Sequence, residues 1–245
     1  FIDEAQRISA KETRSAFYFK VIEMLRSSGK TSMIFASPNI PNPDVYLRLV
    51  GQEENGKTLS KSTSLSPVVQ IKYLVDLKSH QYQIFNSLKN DFIENIPINE
   101  ELDLTALIRS ISNNPSETPK QSLVFCCSKE KAIKYALAYA DGLPELNNPK
   151  LDAFSNQIAE EVNADYFLVK LVKRGVAFHI GYLPSTIRME LENLFREGLI
   201  RTVFCTSTLI EGVNLPADNL FITNYKNGNS NMTAVEFKHL IGRVG

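Results

Sequence analysis

Two carboxylates stand side by side at Asp3 and Glu4, directly behind the apolar pair Phe1-Ile2. At a strand end such a pair can support phosphoryl transfer. One carboxylate holds a divalent cation, often through water, and its neighbour orients or activates the attacking water. Acidic dipeptides at strand ends are more often simply solvated, so this pair gains meaning only from other residues. Gly29-Lys30-Thr31 is a decoy. It spells the end of the phosphate-binding pattern G-x-x-x-x-G-K-[ST], but Met24 occupies the position of the first glycine. A helix also precedes it and a strand follows, the reverse of what that loop needs. Gly29 reads instead as a helix C-cap.

Other chemistry-bearing residues fall at the predicted ends of strands. His179 closes an apolar run and is followed by Gly181; a lone histidine is more often structural, but open α/β sheets bind ligands beyond the carboxyl ends of their strands. The same edge is expected to carry Ser37, Ser128, Thr206 and the Asp3-Glu4 pair. The run Thr206 to Pro216 joins a strand to an irregular loop in which Gly212 permits close backbone approach and Asn214 offers both donor and acceptor. Gly242-Arg243 follows a helix, and an arginine there can reach a phosphate and stabilise transferring charge. Taken singly, these are also an ordinary turn and a surface arginine.

The elements that must position these groups are legible from periodicity. Ser9 and Glu12 have capping-box spacing, and Phe17, Val21 and Leu25, with Tyr18 and Ile22 alongside, predict an apolar helix face ending near Gly29. Residues 31–37 predict a short strand stopped by Pro38, with a turn-rich loop to Pro43. Residues 51–66 are polar and predict a loop. Alternation from Val69 to Val75 predicts a half-buried strand with a hairpin partner over 82–85. A short helix is expected around 104–111, then the linker-like stretch SNNPSETPKQ. Beyond it strands are predicted at 122–127, 176–179, 200–205 and 220–223. They are separated by a helix capped by Ser128 and carrying Ile133, Ala136 and Leu137, helical sequence over 151–174, and a helix capped by Ser185. Thr233 and Glu236 form a second capping box. Strands alternating with helices imply an α/β fold with a parallel sheet covered on both faces.

Composition sets outer bounds. The chain has 245 residues, 43% apolar and 22% charged, enough for a core without disulfides or metals. No apolar run reaches the ~18 residues of a membrane span, and the N-terminus does not read as a signal peptide. Three cysteines cannot close a disulfide framework, and with no C-x-x-C pair or His cluster they read as reduced thiols of a cytoplasmic protein. Lys+Arg and Asp+Glu are equal at 27 each, which argues against broad phosphate binding but not against a short groove of local contacts. Both ends read as cuts from a longer protein.

The order and spacing of these segments resemble a superfamily 2 helicase of the DExH type, nearest the superkiller-like and archaeal DNA-repair helicases. FIDEAQ resembles motif II, FASPN motif III with Ser37 at the first residue of the usual Ser-Ala-Thr, and SLVFCCSKEKA motif IV. FHIGYLPSTIR is similar to the family segment between motifs IV and V, CTSTLIEGVNLPA to motif V, and HLIGRVG to most of motif VI. Likeness is strong over 1–40 and from 122 onward and vague across 41–120. Gln6 stands where the family more often has His, and Pro38-Asn39 replace Ala-Thr.

The resemblance implies the end of one RecA-like domain over 1–90 (motifs II and III) and most of a second over 91–245. It implies ATP and Mg²⁺ as nucleotide and metal, with ATP between the domains. Asp3 would help hold Mg²⁺ and Glu4 would position water. Ser37 would couple hydrolysis to nucleic-acid binding. Ser128, His179, Gly181 and Thr206 would lie along a nucleic-acid track, DNA or RNA. Gly212 and Asn214 would approach the nucleotide, and Arg243 its phosphates. Motif I and a second motif VI arginine are missing from these residues, so the stretch alone is expected not to hydrolyse ATP. Two rival readings stand beside the helicase: a duplex translocase or remodeller of a defence or restriction system, and a non-catalytic interaction module with a decayed ATPase site. A metabolic dinucleotide enzyme lacks any G-x-G-x-x-G.

Overall fold

A computed structural model describes residues 1–3, 5–8, 15–29, 32–37, 43–49, 59–61, 69–112, 119–207, 215, 217–242 and 244. The capping box at Ser9, most of the 51–66 loop and the linker centred on 113–118 lie outside the described residues, as do Lys30-Thr31 and Pro38. The chain forms two compact units, residues 1–67 and 68–245.

In the first unit, Ile2 forms a parallel bridge to Phe35. The Ile2 N–H donates to the Ile34 carbonyl at 2.8 Å, and the Ala36 N–H donates back to Ile2 at 2.9 Å. The two predicted strands are therefore real neighbours, paired here at one described bridge. A turn of 3-10 helix, Ala5–Ile8, follows, then α1 (Ser15–Ser27) and α2 (Asp44–Leu49). The core is Ala5, Ile8, Ile22 and Tyr46, with Tyr18 and Phe35 packed on it, and the Phe35 and Tyr46 rings stack at 5.6 Å. Of the predicted apolar face of α1, Tyr18 and Ile22 are the part that packs inward, while Phe17 and Val21 are 68% and 36% exposed. Both stripes recur every four residues; the stripe that meets the strand pair is the one buried, and spacing alone does not choose between them. Gly29 adopts φ +65°, its N–H bonded to the Arg26 carbonyl, as a C-cap glycine should.

The second unit opens with an antiparallel sheet of β1 (Tyr73–Asp76), β2 (Gln81–Asn86) and β3 (Asp91–Pro97) in the order β1-β2-β3. The hairpin was expected and the third strand was not. Polar Glu94 and Asn95 break the run of Phe92, Ile93 and Ile96 and disguise it. The expected half-buried face is also corrected: Val69, Ile71 and Tyr73 are 91%, 67% and 54% exposed.

The rest is an α/β layer. After α3 (Leu104–Ser112) come β4 (Ser122–Phe125), α4 (Lys129–Ala140), α5 (Pro149–Glu161), α6 (Phe167–Val172) and β5 (Val176–His179). Then follow α7 (Ser185–Arg196), β6 (Thr202–Cys205), β7 (Asn219–Ile222), a two-stranded hairpin and α8 (Ala234–Ile241). The four strands β5-β6-β4-β7 are all parallel. β4, β5 and β6 are buried along their whole length, as sheets covered on both faces must be. Their Leu123, Val124, Phe178, Val203 and Phe204 join Ala136, Phe154, Leu168, Leu191 and Phe195 in one core. At roughly 1.5–3 kcal/mol for each large side chain removed from water, this cluster is the main stabilising term of the unit.

Three helix details differ from expectation. The buried face of α4 is Ala132, Ala136, Tyr139 and Ala140, with Leu137 37% exposed. The 151–174 helix is two helices, broken where the Asn163 side-chain oxygen accepts from the Asp165 N–H and turns the chain. Pro184, not Ser185, sits at the N-cap of α7, and Ser185 is its first helical residue. The capping box of α8 is formed as expected. Thr233 Oγ1 accepts from the Glu236 N–H, and the Glu236 carboxylate accepts from the Thr233 N–H at 2.7 Å.

Candidate functional site

Parallel pairing brings the carboxyl ends of β4, β5 and β6 to one edge. The Cys126 N–H donates to the Cys205 carbonyl at 2.7 Å and the Thr206 N–H to the His179 carbonyl at 3.3 Å, which fixes the strand ends level with one another. Ser128, Gly181 and Thr206 leave the sheet at this edge. They are distant in sequence and neighbours in the fold because β5-β6-β4 are adjacent. The edge is extended by Thr223, whose hydroxyl donates to the Phe125 carbonyl at 2.8 Å.

Ser128 is the N-cap of α4. Its hydroxyl oxygen accepts from the Lys131 N–H at 3.3 Å. The same hydroxyl, after the Glu130 backbone N–H, holds the exposed Glu130 carboxyl below its usual range. Gly181 is exposed and begins the turn into α7. His179 is different. It is 1% exposed, with Nε2 3.4 Å from Glu192 Oε1, and Glu192 in turn lies 3.6 Å from Arg196 Nη2. Burial first, and the Arg188 charge second, push its pKa below the ordinary histidine value despite the pull of Glu192. The imidazole therefore tends to stay neutral and faces the sheet–helix interior, while the His179 carbonyl is taken by the Thr206 N–H of the neighbouring strand.

In the first unit, Asp3 follows the bridge residue Ile2 and is exposed. Ser37 lies two residues past the bridge residue Phe35, at the same end of the paired strands. The Ala5 N–H donates to the Ala36 carbonyl at 2.9 Å, tying the two segments together beyond the bridge. An exposed strand-end carboxylate suits an ion that keeps most of its water, as Mg²⁺ does. Among the described residues no cluster of three His, Cys, Asp or Glu could grip a metal outright. Glu4, Gly212, Asn214 and Arg243 lie outside the described residues. The helix before Arg243 is described, and Gln70 Nε2 donates to the Ile241 and Val244 carbonyls at 2.8 and 2.9 Å, clasping the chain on both sides of it.

Sequence reasoning passed over Lys129 and Tyr182. Lys129 Nζ lies 4.5 Å from the centroid of the Tyr182 ring. Each directly follows a predicted edge residue, Ser128 and Gly181, but their pairing depends on β4 and β5 sharing one sheet, which no local pattern displays.

Residues 103–245, the segment holding this edge, match the helicase conserved C-terminal domain family. The chain belongs to that helicase family. Its parallel sheet is the RecA-like core of a superfamily 2 helicase, as the sequence motifs implied. The ATP-dependent DNA helicase Hel308 of Pyrobaculum calidifontis is 34% identical over 140 residues, covering 51% of this chain and 19% of the relative. Hel308 of Aeropyrum pernix is 26% identical over 254 residues, covering 100% of this chain and 32% of the relative. Anti-bacteriophage protein B of Escherichia coli is 28% identical over 127 residues, covering 51% of this chain and 17% of that protein. This helicase segment therefore spans a third or less of each of these three relatives. Among its described residues no helix is long and apolar enough to cross a membrane.

Proposed function

We propose that this chain is part of an ATP-dependent nucleic-acid helicase that couples ATP hydrolysis to translocation along, or separation of, strands. The observation that carries the reading is the level edge formed by Ser128, Gly181 and Thr206 within the family's C-terminal domain. A row of backbone and small polar groups at one sheet edge suits a sugar-phosphate backbone, which is gripped by hydrogen bonds that need no base identity. The balanced charge agrees with a grip made largely by such bonds. The names of the Hel308 relatives make DNA the first track to test.

On this reading the end of one RecA-like domain lies within residues 1–67 and most of the second within residues 68–245, since a boundary at residue 90 would part β2 from β3. Asp3 helps hold Mg²⁺ through water, and Glu4 orients the attacking water. Bound Mg²⁺ would supply charge neutralisation at the nucleotide phosphates. Ser37 links the Asp3 end to strand binding. Ser128 and Thr206 offer hydroxyls to the strand, Gly181 offers close approach, and His179, its carbonyl bonded to the Thr206 N–H, holds the strand ends level along that track. Gly212 and Asn214 approach the nucleotide, and Arg243 reaches its phosphates. No phosphate-binding loop occurs within these 245 residues, so this stretch alone would not turn over ATP.

The test is ATP hydrolysis by the full-length protein with single-stranded DNA, duplex DNA, single-stranded RNA or no polymer, beside Glu4→Gln. Stimulation by one polymer, abolished in the variant, is the expected result. A folded protein without turnover under any condition sinks the reading and favours a decayed interaction module. The likeness to the Escherichia coli anti-bacteriophage protein supports a second reading, a duplex translocase of a defence system. Duplex-stimulated hydrolysis without unwinding of a forked substrate would select it.

A further inference from the structure

Tyr182 is 80% exposed, although the residues on either side of its turn are anchored: Ile180 and Leu183 are each 4% exposed, and the Leu183 N–H donates to the Ile180 carbonyl at 3.2 Å. Lone exposed aromatics are common and need no explanation. This one differs in three respects. Its turn is pinned at both ends, so the ring is presented by a rigid base. One ring face carries the Lys129 ammonium at 4.5 Å, leaving the other toward solvent. The pair also lies beside Ser128 and Gly181, at the edge described above. Lys129 Nζ is otherwise 3.8 Å from the exposed Glu130 carboxylate, a contact that water screens and a phosphate can replace.

We propose that Tyr182 and Lys129 form a stacking step for one nucleotide of a single strand, the ring taking a base on its open face and the ammonium taking the adjoining phosphate. The inference rests on the helicase reading and adds to it a base-contacting position, whereas the edge alone provides only backbone contacts. Stacking of this kind tolerates any sequence, because every base has a π-face. The cation stacked behind the ring holds it in place by cation–π attraction while supplying charge to the strand.

The test is fluorescence anisotropy of a labelled oligothymidylate with the full-length protein and three variants, with circular dichroism melts confirming that each variant is folded. Tyr182→Ala should weaken binding by about 5- to 100-fold, and Tyr182→Phe should bind within about 2-fold of wild type, since the ring and not the hydroxyl does the work. Lys129→Ala should weaken binding and reduce the salt slope by about 1. On an oligonucleotide of abasic sugar-phosphate units, wild type and Tyr182→Ala should bind alike. Equal affinity of wild type and Tyr182→Ala for oligothymidylate overturns the stacking step and leaves the helicase reading standing. Failure of wild type to bind single-stranded DNA or RNA at all overturns that reading, and the step with it.

Discussion

His179 illustrates how one side chain can be misread from its position. It closes a strand at the carboxyl edge of the parallel sheet, yet its ring points inward to Glu192 and burial depresses its pKa below the ordinary 6.5. The unfolded chain then binds the proton more readily than the folded one. Stability is therefore full above about pH 6.5 and falls as pH drops from there toward the folded pKa, with a slope of at most about 1.4 kcal/mol per pH unit from this group. Urea unfolding of the chain between pH 8 and 5 should show this loss, and His179→Gln should flatten it; an unchanged slope in the variant refutes the assignment. The thiols make a second case. Burial pushes Cys126 up to about 12 and raises Cys205 as well, while Cys127 is half-buried. A thiolate-selective reagent should label Cys127 first in the native chain and all three thiols in urea. Rapid native labelling of Cys126 or Cys205 would show that the sheet is not closed as described.

Helix ends carry much of the specificity of the elements. Arg109, on α3, reaches the C-terminus of α4, where Nε donates to the Tyr139 carbonyl at 3.1 Å and Nη2 to the Ala138 carbonyl at 3.1 Å. Its guanidinium also lies 5.6 Å from the Tyr139 ring. One cation thus satisfies carbonyls that α4 leaves unpaired and offsets the negative end of its dipole. Arg109→Ala should cost about 2 kcal/mol, the order expected for charged hydrogen bonds at a partly buried site, and Arg109→Lys should recover only part of it. Thermal or urea unfolding reads the difference, and a loss within error of zero would mean that the clamp is ornamental. Nothing near Arg109 in sequence announces this role. The caps at Ser128 and Thr233, by contrast, were readable because donor and acceptor lie within three residues of each other.

The molecule as a whole divides at residues 67 and 68, and the large apolar cluster from Ile108 to Ala217 belongs entirely to the second unit. A chain of residues 68–245 should therefore fold without the first unit and unfold in a single cooperative urea transition, with near-ultraviolet dichroism and amide protection of β4, β5 and β6 retained. A broad, non-cooperative loss of signal would show that the first unit is needed to complete that core.

What could be read along the chain was whatever depends on near neighbours: the alternation of strand and helix, the Thr233 capping box and the Gly29 cap. These follow from periodicity and from side chains that bond a few residues away. What needed the folded chain was every relation across a strand order that is not sequential. β5-β6-β4-β7 places Thr206 beside His179 and brings the Lys129 turn to the Tyr182 turn. It also decides that the imidazole of His179 is buried while its carbonyl pairs with the Thr206 N–H. Which of two equally spaced stripes on α1 is buried was settled the same way, by the partner it meets. Periodicity specifies that a face exists; only the packed neighbour specifies which face, and only the sheet brings distant strand ends together.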